Sequence, residues 1–370
     1  METALAELIK KFPEYNRNEK WENVPITERK KIEQWSFNQC VEKPVLISMT
    51  SGTTGKPLTL LHSRPSMEAK IARARELFEG LFIDSHVFFN LLGRFCITKK
   101  TAELAFYSIQ KLCISFGIPS PKNAQAITMA VQMRQPDGLI ATTGGLASLL
   151  DLGIRITTRY ALVGGSLAPE AFRKRIITSL QCIYIDTYAC NEFGMIAADI
   201  TGNRELVVGG GLFLEIQKSD NTITEEGTGN LLITDYTNYS MPFIRYLIGD
   251  KVELRKNNGK TTIRIIGRSD QLMNFDQTLV SIPHLIDSVK MLLGHERFYI
   301  SVKNNEQNLY DEVKVHITAE DAGKERLLTE EIYRILSRNP KVIVTEKFFQ
   351  APNGKFINFF DLRKSPGAHW

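Results

Sequence analysis

Several common functional signatures are missing from this 370-residue chain, and each absence removes a class of function. The five cysteines (Cys40, Cys96, Cys113, Cys182 and Cys190) are odd in number and form no CxxC pair. Neither a disulfide framework nor a zinc-finger site is therefore expected. The six histidines contain no HExxH, which argues against a zinc metalloprotease. No apolar run approaches the length of a membrane span. The first ten residues carry Glu2 and Glu7 instead of the basic, apolar composition of a signal peptide, so the expected setting is cytoplasmic, without a membrane partner. Basic residues are not clustered and interleaved with aromatics, so nucleic acid is not the expected ligand. A P-loop is also absent: no two glycines with four residues between them precede Lys-Ser or Lys-Thr.

The remaining composition is that of an ordinary globular protein: 43% hydrophobic, 24% charged and 9% aromatic. The net charge of +5 lies wholly in residues 1–270, because residues 271–370 hold thirteen basic and thirteen acidic side chains. A mild positive excess suits a polyanionic small ligand or an acidic partner. Helical and strand patterns alternate through the first two thirds: helices over 67–82, 103–116, 146–152 and 169–180, and strands over 139–142, 161–163 and 183–185. Glycine pairs at Gly144-Gly145 and Gly164-Gly165 read as turns after the strands. From Leu206 the chain becomes strand-rich, with strands over 212–216, 230–234, 251–254 and 262–265 and a hairpin turn at Asn258-Gly259. Beyond Arg268 a unit of mixed helices and strands begins. Expected there are helices over 283–293 and 324–336 and strands over 298–303, 312–318 and 342–345. Two domains are predicted, 1–269 and 270–370.

The segment Thr50-Ser51-Gly52-Thr53-Thr54-Gly55-Lys56-Pro57, set between two apolar runs, has the composition of a phosphate cradle. Its glycines let the backbone approach a ligand and turn amide N–H groups toward anionic oxygens. Its hydroxyls and Lys56 add donors suited to phosphate. Downstream come Asp186-Thr187-Tyr188-Ala189-Cys190-Asn191-Glu192, then Arg245-Tyr246-Leu247-Ile248-Gly249-Asp250, Gly267-Arg268-Ser269-Asp270 and Pro352-Asn353-Gly354-Lys355. Singly, each reads as a turn with a capping or solvated charge.

In this order and spacing the five segments resemble the motifs of the adenylate-forming superfamily: acyl- and aryl-CoA synthetases, luciferases and peptide-synthetase adenylation domains. Within it they look most like phenylacetate-CoA ligases, whose Pro-Phe-Thr resembles Pro25-Ile26-Thr27 here. The resemblance spans residues 44–363. It implies an α/β fold: a large N-terminal adenylate-forming domain, with helix-packed sheets and a small β-rich part, and a small mobile C-terminal α+β domain. It implies ATP and Mg²⁺ as cofactors, a small aryl or acyl carboxylic acid as substrate, and CoA or an acyl or peptidyl carrier protein as thiol acceptor.

By the same resemblance, Thr50, Ser51, Gly52, Thr53, Thr54, Gly55 and Lys56 would hold the ATP phosphates. Glu192 would place Mg²⁺, the hard cation a carboxylate oxygen suits. Gly165, Ser166, Asp186, Thr187, Tyr188 and Asn191 would bind AMP, with Tyr188 against the adenine. Asp250 would accept from the ribose hydroxyls and Arg268 would contact ribose and phosphate. Asp270 would be the hinge, and Lys355 the catalytic lysine at the α-phosphate. The acid pocket is expected from Arg94, Phe95, Gly144, Gly164, Ala189 and Cys190, with Phe88, Phe89 and Cys96 adding apolar character. Ala189, Asn191 and Leu247 depart from the family pattern, and Arg245 is a candidate to replace the charge absent at Leu247. No glycine stands in the turn after Asp270 (Asp276-Gln277), where a pantetheine arm would pass. That keeps an acyl-protein synthetase acting on a protein cysteine, and a non-catalytic nucleotide-binding relative, as alternatives.

Overall fold

The computed structural model describes residues 2–12, 15, 21–50, 57–79, 84–93, 97–166, 168–199, 203–257, 259–275, 278–295, 297–304, 311–349 and 358–362. Two compact units emerge: Met1–Ser166 with Ile176–Ile265, and Leu167–Arg175 with Ile266–Trp370.

The first unit is organised by a mixed sheet of twelve strands among the described residues. Five of them are parallel, in the spatial order Leu112–Ser115, Val87–Asn90, Gly138–Thr142, Tyr160–Gly164, Ile183–Cys190. The chain first adds a strand on one side of Val87–Asn90, then crosses back and adds the remaining three on the other. The strand order therefore reverses between Val87–Asn90 and Gly138–Thr142. In open parallel sheets, the carboxyl ends of strands at such a switch point form a ligand crevice.

Ile183–Cys190 joins two pairing regimes. Residues 183–186 pair parallel with 160–163, while residues 187–190 pair antiparallel with Gly194–Ala198. From there the sheet continues antiparallel through Leu206–Val208, Lys260–Arg268, Tyr246–Asn257, Gly227–Thr234, Phe213–Gln217 and Ile223–Thr224. A separate antiparallel pair, Leu46–Met49 with Thr59–His62, is formed by the strands that flank the phosphate-cradle sequence in the chain.

Helices Arg64–Glu79 and Ile97–Ser108 pack over the parallel half around Phe78, Phe88 and Phe106. Phe106 stacks on both rings, with centroids 4.9 Å from Phe78 and 4.2 Å from Phe88. Phe88 and Phe89 are both fully buried, so they belong to the core and do not line a pocket as their sequence position suggested. In the second unit, helices Ile282–Leu293 and Glu325–Leu336 cover a four-stranded sheet through Leu285, Val289, Leu328 and Ile332.

Two local expectations fail for physical reasons. The helix expected over 103–116 stops at Ser108; Gln110 takes a positive φ of 58°, and Leu112–Ser115 becomes the edge strand. Gly144-Gly145 is not a turn but lies in the first turn of helix Thr143–Asp151, where the Thr142 hydroxyl caps the helix by accepting from Gly145 N at 3.0 Å. Replacing Phe106 by alanine should cost about 3–5 kcal/mol through lost burial plus cavity formation, read as a shift of the urea midpoint at unchanged slope.

Candidate functional site

The neck of the cradle hairpin is closed by two hydrogen bonds. Thr50 N donates to Leu58 O (3.0 Å), and Leu58 N donates to the Thr50 hydroxyl (2.9 Å). Ser51, Gly52, Thr53, Thr54, Gly55 and Lys56 lie outside the described residues, as do Arg94, Phe95, Cys96 and Lys355.

At the carboxyl ends of the parallel strands, small residues keep space open. Nothing lies within 4 Å of where a Cβ on Gly144 would be. A Cβ on Gly164 would stand 3.0 Å from Thr187 O and 2.7 Å from its hydroxyl, so only glycine lets these strand ends approach. Gly165, at φ +91°, then turns the chain, and the Ser166 hydroxyl meets that of Thr143 at 2.7 Å. Thus Gly144, Gly164, Gly165, Ser166 and Thr187 cluster around neighbouring strand ends.

The seam strand ends in a three-residue hairpin loop, Asn191-Glu192-Phe193, closed by Gly194 at φ +69°. A left-handed glycine after three loop residues is a favoured way to close such a hairpin. Glu192 sits at the middle of the loop, buried to 8% exposure. Asn191 is a tie: its amide nitrogen donates to Met49 O (2.9 Å) and its oxygen accepts from Ile97 N (3.0 Å). It joins the loop both to the base of the cradle hairpin and to the start of helix Ile97–Ser108. Burial and the adjacent Glu192 push the Cys190 thiol well above its ordinary range. That keeps it protonated and unsuited to nucleophilic attack.

Asp250 breaks the pattern of its strand. Tyr246, Ile248, Asp250, Val252 and Leu254 alternate onto the buried face, and Asp250 is a carboxylate with 8% exposure among apolar neighbours. Its Oδ2 accepts from the Tyr188 hydroxyl at 2.5 Å. Two residues 62 positions apart, drawn from separate motifs, thus meet directly. The start of this strand is pinned by Thr27, which exchanges backbone hydrogen bonds with Arg245 and Leu247.

Arg245 does not supply a charge to the site. It lies 3% exposed, held in a two-pronged pair with Glu215 (3.0 and 2.8 Å), donates to Val24 O and Glu22 O, and covers the Trp21 ring. Its φ of +45° and full set of partners make it an architectural residue. Arg268 and Asp270 belong to the second unit, where Arg268 Nε lies 3.7 Å from Asp270 Oδ1 on an exposed surface.

Sequence reasoning missed a buried ionic cluster on helix Arg64–Glu79. The Lys70 ammonium contacts Asp235 (3.2 Å) and the Ser66 hydroxyl, and both charged side chains are fully buried. Burial works against the Asp235 carboxylate, but Lys70 and Arg73 hold its pKa below the usual range. Arg73, 1% exposed, donates from Nη1 to Phe193 O (2.8 Å) and Met195 O (3.2 Å), and from Nε to Gly210 O (2.6 Å). A signal existed: Lys70 falls on the same helical stripe as Met67, Ile71, Ala74, Leu77 and Phe78, where a charge must be buried. His62 borders the cluster, with Nε2 2.8 Å from the Ser48 hydroxyl.

This is the fold of the adenylate-forming enzymes. A 2-hydroxyisobutyryl-CoA ligase in complex with 2-HIB-AMP and CoA, 14% identical, matches 97% of this chain and 90% of its own with a TM-score of 0.70. An anthranilate CoA ligase in complex with anthranoyl-AMP is 15% identical with a TM-score of 0.57, covering 85% of this chain and 66% of that one. McyG A-PCP complexed with phenylalanyl-adenylate is 12% identical with a TM-score of 0.55, over 85% and 65%. No protein-family model and no curated protein sequence matches the chain.

Burial pushes the His62 imidazole down to about 3, assisted by Lys70 and opposed by Asp235. A group whose folded pKa lies below its unfolded value of 6.5 binds fewer protons when folded. Its contribution to stability is complete above pH 6.5 and declines as pH falls toward 3. Between these values this one proton should give a slope approaching about 1.4 kcal/mol per pH unit. Urea midpoints measured from pH 7 to 4 should fall more shallowly in His62→Gln than in wild type; parallel curves would refute a neutral buried His62.

Proposed function

We propose that this chain is an AMP-forming acid–thiol ligase. It activates a small carboxylic acid with ATP, releasing pyrophosphate and forming an acyl-adenylate, then passes the acyl group to a thiol. The observation that carries this reading is the Tyr188–Asp250 contact beside Glu192, at the carboxyl end of the seam strand. The fold it shares with structures holding 2-HIB-AMP, anthranoyl-AMP and phenylalanyl-adenylate supports the same reading.

In this assignment Tyr188 faces the adenine, and Asp250 accepts from the ribose hydroxyls. A buried carboxylate already accepting from a phenol is chemically ready to accept from alcohols. Gly164 and Gly165 let the backbone approach the acyl-phosphate region. Glu192 would hold Mg²⁺, which supplies charge neutralisation between the phosphates when bound. No cluster of three or more metal-binding side chains occurs among the described residues. A single carboxylate completed by phosphates and water suits Mg²⁺, which usually has few protein ligands.

Attack of the substrate carboxylate oxygen on the α-phosphorus forms the new P–O bond and breaks the bond to pyrophosphate, which leaves with the electron pair. The cradle residues 51–56 receive that pyrophosphate. Lys355, on a C-terminal domain of residues 270–370 that turns about Asp270, stabilises the charge gathering at the α-phosphate. In the second step the acceptor thiolate attacks the acyl carbonyl and AMP departs. The favoured substrate is an aryl acid and the favoured acceptors are CoA or a carrier-protein pantetheine, in a subtype like phenylacetate-CoA ligase.

Carboxylate-dependent exchange of labelled pyrophosphate into ATP tests the first step; no exchange with any member of a broad aryl and acyl panel would sink the enzyme reading. Lys355→Ala should lower exchange by about 10²–10³-fold, the scale of losing one transition-state charge partner, while ATP affinity changes little. Unchanged exchange in that variant would remove Lys355 from the mechanism.

A further inference from the structure

The loop that carries Glu192 is held from below by one side chain. Hairpin loops are ordinarily the least constrained part of a sheet. Here the Arg73 guanidinium grips the carbonyls of Phe193 and Met195, which bracket the left-handed Gly194 immediately after Glu192. The same guanidinium is anchored on its other edge by Gly210 O at 2.6 Å. Glu76, one turn along the helix, accepts from Gly210 N at 3.0 Å and fixes that anchor. The stem of Lys70 lies against Gly194, 3.6–3.7 Å from where its Cβ would be, before ending at Asp235. The backbone on the far side has been thinned to admit Arg73: a Cβ on Gly209 would meet Arg73 Cγ at 2.4 Å.

A planar guanidinium whose Nη1 donates to both turn carbonyls while its Nε is fixed on Gly210 O sets that turn's orientation in a way a flexible ammonium does not. It also places a cation, screened little by solvent, directly beneath the loop of the Glu192 carboxylate. Helix Arg64–Glu79 thus reaches the Glu192 loop of the proposed nucleotide site.

We propose that Arg73 is a positioning residue that sets the Glu192 loop, and through it the affinity of the site for the divalent cation that accompanies the nucleotide. The proposal rests on the reading of Glu192 as the Mg²⁺ carboxylate. The groups that hold metal ligands in place are worth about 10–100-fold in metal affinity or activity, and Arg73 is expected to fall in that range.

Two variants test it. Arg73→Lys keeps the charge and loses the planar group that joins the turn carbonyls to Gly210 O. Gly209→Ala keeps the guanidinium and displaces it from the carbonyls. The first measurement needs no activity: amide hydrogen exchange across residues 191–196 in the ligand-free chain. Both variants should exchange faster there, with protection of the remaining core preserved. The second is the Mg²⁺ concentration that half-saturates ATP binding, measured by equilibrium dialysis, with half-saturation in pyrophosphate exchange beside it. Both variants should need about 10–100-fold more Mg²⁺, with turnover at saturating Mg²⁺ close to wild type. A loosened loop with unchanged Mg²⁺ dependence would reduce Arg73 to a structural role, and unchanged protection would refute the clamp itself. If wild type binds Mg·ATP but exchanges no pyrophosphate with any acid, the ligase reading fails while the dialysis result still decides the role of Arg73. If wild type shows no Mg²⁺-dependent ATP binding, the Mg²⁺ role of Glu192 falls and the proposal with it.

Discussion

One strand, Ile183–Cys190, must satisfy two incompatible neighbours. Its first half accepts a parallel partner, which requires helical crossovers; its second half accepts an antiparallel partner, which requires a hairpin. The constraint can be met only if the strand extends beyond the parallel layer, carrying residues 187–190 past the strand ends where the crevice lies. The register shift between Tyr188 and Ala189 marks the place where pairing is adjusted. The contact that carries the proposed nucleotide site depends on this overhang. Tyr188 is on it, Glu192 is at its tip, and the antiparallel half it initiates delivers Asp250 back to Tyr188.

Buried charge falls into two kinds, and the place each holds in the sheet distinguishes them. Arg245 is saturated by Glu215, two carbonyls and an aromatic face, and its partners tie the N-terminal segment to the sheet. Removing one partner from such a buried pair leaves an uncompensated charge and costs several kcal/mol, so the arrangement is self-enforcing. Asp250 differs: it occupies a core-facing position where the strand alternation calls for an apolar side chain, and it meets a neutral phenol. A local rule broken at a core-facing position is where a functional constraint is expected to override the packing pattern.

The alternation of strands and helices, and hence the α/β class, was legible in the sequence because buried parallel strands are short continuous apolar runs. The motif order was legible too, and Tyr188 and Asp250 do converge. The region 103–116 was not. Its apolar spacing fits either a helix or a strand, and the break depends on Gln110, which has no intrinsic preference for the positive φ that it adopts. Nor was the role of Gly144-Gly145 evident, since glycines that punctuate a turn and glycines that keep a helix's first turn uncluttered look alike in one dimension. The Lys70–Asp235 pair is 165 residues apart in sequence, so only the placement of Lys70 on an apolar stripe hinted at it.

That hidden cluster gives the Glu192 loop a stiff foundation. The metal role proposed for Glu192 needs an orientation that three loop residues cannot enforce by themselves. Gly194 supplies the conformation and Arg73 the restraint. Asn191 ties the same loop to Met49 at the base of the cradle hairpin and to Ile97 at the start of a helix packed on the core. The loop is therefore held on both sides of Glu192, by the Asn191 side chain before it and by Arg73 on the Phe193 and Met195 carbonyls after it. The restraint is physical: it acts on the backbone carbonyls that flank Gly194, and so orients the turn on which the Glu192 carboxylate is carried.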